Sequence, residues 1–174
     1  GVNYSLYDGL FRAERAGILV KFDNDFPYGL RREFGRWRQT LSIKASIEEE
    51  VKDENRVLVN ERGGVLVHHL GNSDYTERAV ARYLSDLERL LAPLPIEEIV
   101  PRGRRRSQSH LQGTLRMGLD PTDSVVDGTQ IYHDVRNLIV VGRAVLPTCP
   151  PCEPSLTPAA LSLHAADLIF GAHS

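Results

Sequence analysis

The sequence lacks the features that mark membrane, nucleic-acid-binding and disulfide-stabilised proteins. It contains no run of about 18 apolar residues, which a membrane-spanning helix would need. Its 21 basic and 23 acidic residues give a net charge of −2, which does not favour nucleic acid as a partner. One basic cluster, Arg102, Arg104, Arg105 and Arg106, is predicted to be a solvated loop rather than a phosphate-binding patch. We therefore expect a globular protein with no membrane span and no nucleic-acid partner.

Cysteine is scarce as well, since Cys149 and Cys152 are the only two in the chain. Two cysteines cannot form a disulfide framework. Their Cys-Pro-Pro-Cys spacing leaves a local disulfide or half of a metal site open, but a second half-site is missing. Two reduced cysteines in a loop are therefore favoured, and no metal site is expected.

The first residues, Gly1–Ser5, have no initiator methionine and none of the basic and apolar regions of a signal peptide. The start of the sequence therefore predicts a processed or excised piece. We expect it to be soluble; its compartment stays open, with the cytoplasm favoured.

The N-terminal part of the chain alternates in the manner of an antiparallel sheet. Apolar residues at every second position from Leu41 to Ile47 predict a strand with one buried face. Further strands are predicted at Gly17–Phe22, Arg56–Val59 and Val65–Leu70. Short turn signals separate the strand that ends near Ile47 from Arg56–Val59, and Arg56–Val59 from Val65–Leu70, so these three strands are predicted to form one antiparallel meander. The adjacent His68 and His69 would point to opposite faces of a strand and would not share a metal.

The clearest helix is predicted at Asp74–Ala92, after which Pro93 stops it. Asn72, Ser73 or Asp74 can cap its start, with Glu77 placed for a capping box. Its apolar stripe consists of Val80, Tyr83, Leu84, Leu87 and Leu91. A helix with one apolar stripe packs on a sheet, so the fold class is predicted to be α+β.

The C-terminal part combines a predicted strand at Leu138–Val141, a proline-rich loop and a final helix. Thr157 suits the N-cap of that helix, and Pro158 suits its first position. Leu161, Ala165, Leu168 and Ile169 form its predicted buried face, and Gly171 its end. The unpaired N–H groups at the start of this helix favour an anion or a polarised carbonyl of a ligand. From these residues alone, a rigid connection without a ligand is the favoured interpretation.

Several motifs in fixed order change this interpretation. They are His110-x-x-Gly113-Thr114-x-Arg116-Met117-Gly118, Asp120-Pro121, Val125-Val126-Asp127, Asn137-Leu138, Val140-Val141-Gly142, Pro147-Thr148, Pro154-x-Leu156-Thr157 and Ala165-Ala166-Asp167-Leu168-Ile169. From about Ser107 to Gly171 the chain resembles the C-terminal region of the glucose–methanol–choline (GMC) family of FAD-dependent oxidoreductases. A weaker resemblance to the substrate domain of that family covers Glu49–His69. Residues 1–106 would then be a partial substrate-binding lobe, and residues 107–174 the catalytic loops and part of a flavin-binding domain.

The resemblance implies oxidation of a small-molecule alcohol, sugar or polyol by hydride transfer to FAD. His110 stands at the active-site histidine of the family and would take the hydroxyl proton as a base, a role that suits imidazole near neutral pH. The resemblance also places Gly142 and Arg143 close to the cofactor. It puts Pro154, Ser155 and Thr157 at the flavin ring, beside the start of the final helix.

Two features depart from the family pattern. Glu153 occupies a position where the family usually has a histidine or an asparagine; we expect it to face His110 and, unless burial keeps it neutral, to favour the imidazolium form, a poorer base. The strand–Gly-x-Gly-x-x-Gly–helix fingerprint of dinucleotide binding is absent from the 174 residues. We therefore expect an N-terminal FAD-binding segment or chain to be required as a partner. A non-catalytic remnant of the family and an accessory α+β domain stay open as alternatives.

Overall fold

The computed structural model describes residues 3–23, 35, 39–105 and 110–171. Within these residues there are seven strands: β1 Asn3–Leu6, β2 Ile18–Asp23, β3 Ser42–Ile47, β4 Glu49–Glu50, β5 Arg56–Val59, β6 Val65–His68 and β7 Thr148–Cys149. The helices of the same residues are α1 Asp74–Leu91 and α2 Leu156–Phe170, with short 3₁₀ helices at Leu10–Ala13 and Arg143–Val145. The fold class is α+β, as predicted. Arg106 and the boundary proposed between residues 106 and 107 lie outside the described residues.

The main sheet has the order β1–β2–β3, and both pairings are antiparallel. Val20 in the central strand lies opposite Ala45 of β3, so alternate residues of the two strands face the same side. On that side Ala16, Ile18 and Val20 are buried against Ala79 of α1. This confirms the prediction of an antiparallel sheet covered by a helix. Leu41 precedes β3 and is exposed, so its predicted place on the buried face is wrong.

The predicted single meander is wrong in its extent. The β5–β6 hairpin forms as expected, with Val57 opposite Val67, but it is a separate two-stranded sheet. Between β3 and β5 the chain leaves the main sheet, and β4 pairs instead with the distant β7. Local alternation could identify each strand, but it could not show that β4 finds its partner about one hundred residues later.

Helix α1 begins and ends close to the predicted residues. Ser73 is its N-cap and accepts a hydrogen bond from the Thr76 N–H at 3.2 Å. The Glu77 side chain accepts from Arg104 instead of closing a capping box. Leu84 is exposed, and the buried face turns towards Thr76 and Ala79. A small alanine at the centre of this face lets the helix pack closely on the core of the sheet.

The C-terminal region is mostly irregular before α2. The strand predicted at Leu138–Val141 is reduced to an isolated bridge between Ile131 and Ile139. Helix α2 begins at Leu156, with Ser155 rather than Thr157 before it, so Pro158 is its third residue. Proline still costs no intrahelical bond there, because the first four N–H groups of a helix have no partner within it. Leu168, placed on the buried face by the sequence, is half exposed.

The two α-helices of the described residues do not meet the requirements for crossing a membrane, because neither is both long and apolar enough.

Candidate active site

A short sheet brings the loops of His110 and Glu153 together. Cys149 of β7 pairs with Glu49 of β4, and the chain then runs through two prolines to Glu153. The Cys149 Sγ lies 3.9 Å from the main-chain oxygen of His110 and accepts from the Gln112 amide at 3.3 Å. The β4–β7 pairing therefore anchors the loop of Glu153, and the thiol links it to the loop of His110.

The structure brings His110 and Glu153 into direct contact. The His110 Nε2 lies 2.7 Å from the Glu153 Oε2, and their side chains are 32% and 63% exposed. A carboxylate offers only acceptor atoms, and two lone pairs would repel at this separation. The His110 Nε2 must therefore carry a hydrogen, whether the ring is neutral or charged. The contact expected from the sequence is present at the surface, within reach of a small molecule.

Lys21 completes a charged group that sequence reasoning missed. Its Nζ lies 3.2 Å from the Glu153 Oε1, so the two oxygens of one carboxylate contact a lysine and a histidine. Lys21 belongs to β2, 132 residues before Glu153. One signal was available, because Lys21 interrupts the otherwise apolar run from Ile18 to Phe22. A charged residue at the centre of such a strand needs a partner, but the sequence does not say which one.

The two cysteines are free thiols in the described structure. Burial raises the pKa of the Cys149 thiol, and the charge of Glu49 raises it further. Cys149 is therefore a protonated thiol near neutral pH, which suits its packing between two loops rather than nucleophilic chemistry. Within the described residues, no group of three or more His, Cys, Asp or Glu side chains is arranged to hold a metal ion.

Three of the five residues predicted to bind the cofactor line one shallow cavity. Gly142, Arg143 and Ser155 surround a cavity of about 300 Å³, together with Pro158, Ala159 and Ser162 of α2. The Gly142 backbone has φ 106°, and no atom lies within 4 Å of the place where a Cβ would be. The other two, Pro154 and Thr157, do not line it: Pro154 is fully buried, and Thr157 is exposed on the first turn of α2.

The Gly-Thr-x-Arg-Met-Gly segment holds the loops in place. Its residues Leu115 and Met117 donate backbone hydrogen bonds to the carbonyls of Ala144 and Val145, at 3.0 and 2.8 Å. Gly113 has φ 80°, and a Cβ there would lie 2.9 Å from a methyl group of Val51. These contacts join the His110 loop to the segment after Gly142. Leu115 and Met117 of the motif therefore hold these two segments together.

A hydrogen bond also links α2 to the loop that follows Asp127. Gln130 is fully buried with φ 65°, and its amide donates to the main-chain oxygen of Leu161 at 2.6 Å. The Gln130 N–H in turn donates to the main-chain oxygen of Asp127. A left-handed conformation is unfavourable for glutamine, so these bonds must hold it in place. Helix α2, which forms one wall of the cavity, is thus fixed from the side opposite solvent.

Comparison with known proteins identifies sequences to which this chain is similar. Residues 95–162 match the family profile described as GMC oxidoreductase. The chain is 30% identical over 165 residues to the paromamine 6'-oxidase of Streptomyces fradiae, covering 89% of this chain and 29% of that protein. It is 44% identical over 62 residues to the fructose dehydrogenase large subunit of Gluconobacter japonicus, covering 36% of the chain and 11% of that protein. A match to the pyranose 2-oxidase of Tricholoma matsutake, 37% over 60 residues, covers 34% and 11%. The chain therefore spans less than a third of the length of these relatives.

Proposed function

We propose that the chain, which matches the GMC oxidoreductase profile over residues 95–162, supplies the substrate-facing side chains of an FAD-dependent enzyme of that family that oxidises an alcohol, sugar or polyol. The observation that carries the proposal is the meeting of His110 and Glu153 at 2.7 Å. Only one residue, Pro154, separates Glu153 from Ser155, which lines the cavity beside α2. The His110–Glu153 pair and the wall of this cavity therefore lie close together in the chain.

The cavity residues fit a flat cofactor ring. At Gly142 no side chain blocks the backbone, and the φ of 106° is one that glycine adopts without strain. Ser155, just before α2, lines the same cavity, and the positive dipole end of a helix start would favour negative charge on a reduced ring. FAD, on which the family generally depends, would supply the hydride acceptor. Gly142, Arg143 and Ser155 would contact it, with Pro154 and Thr157 supporting the first turn of α2.

His110 is proposed as the base that takes the proton of the substrate hydroxyl. As hydride leaves the carbinol carbon, the hydroxyl proton must be removed for a carbonyl group to form. Glu153 would orient the ring and stabilise the imidazolium that results, as a carboxylate does in other carboxylate–histidine pairs. The names of the relatives refer to fructose, pyranose and paromamine, which supports a polyhydroxylated substrate.

The chain is proposed to act together with a nucleotide-binding segment or chain. Large apolar residues of α2 are exposed to solvent, among them Leu156 at 85%, Leu163 at 70% and Phe170 at 65%. Helices with such faces normally pack against further protein. In this proposal residues 1–106 form part of the substrate-binding lobe. Residues 107–174 complete the flavin-binding domain with the partner segment, and this isolated chain is not competent by itself.

A flavin reconstitution experiment tests the proposal. The chain would be mixed with FAD and with the nucleotide-binding segment of a relative, and flavin absorbance recorded anaerobically as sugars and alcohols are added. We expect bleaching of the flavin band by at least one polyol, and a loss of rate on the order of 10²- to 10⁴-fold in His110→Ala. Failure of the assembled chains to retain flavin would favour the non-catalytic remnant.

A further inference from the structure

The two oxygens of Glu153 have different partners. Oε2 contacts the His110 Nε2 at 2.7 Å, while Oε1 contacts the Lys21 Nζ at 3.2 Å. Glu153 itself is 63% exposed and lies on an irregular loop, so its carboxylate would be free to rotate without a second anchor. Lys21 provides that anchor from a strand that is hydrogen-bonded on both sides.

The position of Lys21 in the sheet makes the contact favourable for the lysine too. Lys21 lies directly opposite Lys44 in the β2–β3 register, and like charges in this arrangement destabilise a sheet. Because 30% of the Lys21 side chain is exposed, its charge is partly desolvated. The Glu153 carboxylate offsets the positive charge at this point of the sheet. The ion pair thus offsets the charges of both residues, and it links the main sheet to the loop before α2.

Two charged side chains are linked to the His110 ring by contacts in the described structure. Glu153 contacts the ring from the loop before α2, and Lys21 reaches Glu153 from β2. Cys149 of β7 approaches the main chain of His110, and Glu49 of β4 faces Cys149. Since the Cys149 thiol is protonated, Glu153 is the negative group in direct contact with the ring. The ammonium of Lys21 contacts the other oxygen of the same carboxylate.

We propose that Lys21 is a positioning residue: by holding Glu153 on the His110 Nε2, it fixes the ring hydrogen there and leaves Nδ1 as the atom that accepts a proton. In neutral imidazole only one nitrogen carries hydrogen, so a hydrogen held at Nε2 makes Nδ1 the basic atom. The catalytic meaning of this assignment rests on the proposed function. The assignment itself does not, because it concerns the tautomer of a ring in this chain.

The test is an NMR measurement of the His110 ring nitrogens in the full chain, labelled with ¹⁵N-histidine, at a pH where the ring is neutral. Long-range ¹H–¹⁵N correlations identify which nitrogen carries hydrogen. We expect the Nε2–H tautomer to dominate in the unmodified chain and in Lys21→Arg, which keeps the charge. In Lys21→Met the signals should shift towards a mixture of the two neutral tautomers. Lys52→Met is the matched control, because the Lys52 ammonium donates to the Asn72 carbonyl instead.

Glu153→Gln provides a second variant that separates positioning from a general effect of charge. If Lys21 acts through Glu153, adding Lys21→Met to Glu153→Gln should leave the ring signals unchanged. An equal shift on both backgrounds, or unchanged signals in Lys21→Met alone, would overturn the proposal. So would a dominant Nδ1–H tautomer in the unmodified chain.

The flavin assay then connects the tautomer to catalysis. With the assembled chains, Lys21→Met should lower the rate constant of flavin reduction on the order of tenfold, while Lys21→Arg restores it. The substrate concentration for half-maximal rate should change little. Absence of flavin reduction in every variant would refute the proposed function and leave the NMR result standing. A tautomer change without any change of rate would instead overturn the role of Nδ1 as the base.

Discussion

Removing the charge of Asp127 should destabilise the fold in a pH-dependent manner. The Asp127 Oδ1 accepts hydrogen bonds from the Thr129 N–H, the Thr129 hydroxyl and the Ile131 N–H, at 2.9, 2.6 and 3.1 Å. Its Oδ2 accepts from Arg136 at 2.9 Å. Burial by itself would raise the pKa of this carboxyl, but the hydrogen bonds of Thr129, Ile131 and Arg136 outweigh it and lower the pKa to about 2. The ionised form is therefore the one that the folded state stabilises.

The size of the effect follows from the difference between about 2 and the ordinary aspartate pKa of 3.8. At about 1.36 kcal/mol for each pH unit, this difference corresponds to roughly 2.4 kcal/mol as an upper limit. Because 24% of the Asp127 side chain is exposed and Arg136 is a surface partner, solvent screening reduces the expected contribution to about 1 kcal/mol. Asp127→Asn keeps the Oδ1 acceptor but loses the charge. The stabilisation is fully present above pH 3.8 and is lost as the pH falls through 2.

Urea unfolding of the chain and of Asp127→Asn over a range of pH checks this sign. At pH 7 the variant should be about 1 kcal/mol less stable, and the difference should shrink between about pH 4 and pH 2. Asp123→Asn is the control, because Asp123 contributes its main-chain oxygen, rather than its carboxylate, to the bond with Arg116. A difference that stays constant across this range would refute the electrostatic reasoning and leave only a steric effect of the amide.

Two further predictions concern positions where a larger side chain would collide with an identified neighbour. Gly113→Ala should cost about 1–2 kcal/mol in unfolding free energy, because φ is 80° and the Cβ would meet Val51, whereas Gly128→Ala, with open space around it, should change little. Ala79→Leu should cost about 1–3 kcal/mol by overfilling the contact between α1 and the sheet, whereas Ala81→Leu on the exposed side of the same helix should be tolerated. Denaturation midpoints of the matched pairs decide both predictions, and equal midpoints within a pair would contradict the packing described.

Much of the fold could be predicted because its signals are local. The alternation around Ile43 and the stripe that includes Val80 each lie within one element, and each identifies its buried face. The covering of the sheet by α1 follows from those two faces alone. The isolated bridge at Ile139 could not be predicted in this way. Its apolar neighbours read as a strand, but hydrogen bonds from both sides of an irregular loop replace a regular ladder there.

The candidate site, too, could be predicted from the sequence only in part. The contact between His110 and Glu153 was expected from a resemblance that fixes the order of several loops, and Gly142, Arg143 and Ser155 line one cavity. The start of α2 was misplaced by two residues, since Thr157 has the composition of an N-cap but Ser155 precedes the first helical residue. Boundaries of helices commonly shift by this much, because the first turn makes few hydrogen bonds of its own.

The sequence contains both Lys21 and Glu153, but it does not show that the two residues form an ion pair. Each is unusual where it stands: Lys21 interrupts an apolar strand, and Glu153 replaces a residue that the resembling family usually supplies as histidine or asparagine. Taken alone, the lysine would place a half-buried positive charge in a sheet, and the glutamate would place a negative charge beside an imidazole. At 3.2 Å the two charges offset each other, so each departure removes the cost of the other. A relative that changes one of them should therefore change both, whereas free variation at position 21 beside a fixed Glu153 would argue that the pair has no role in the site.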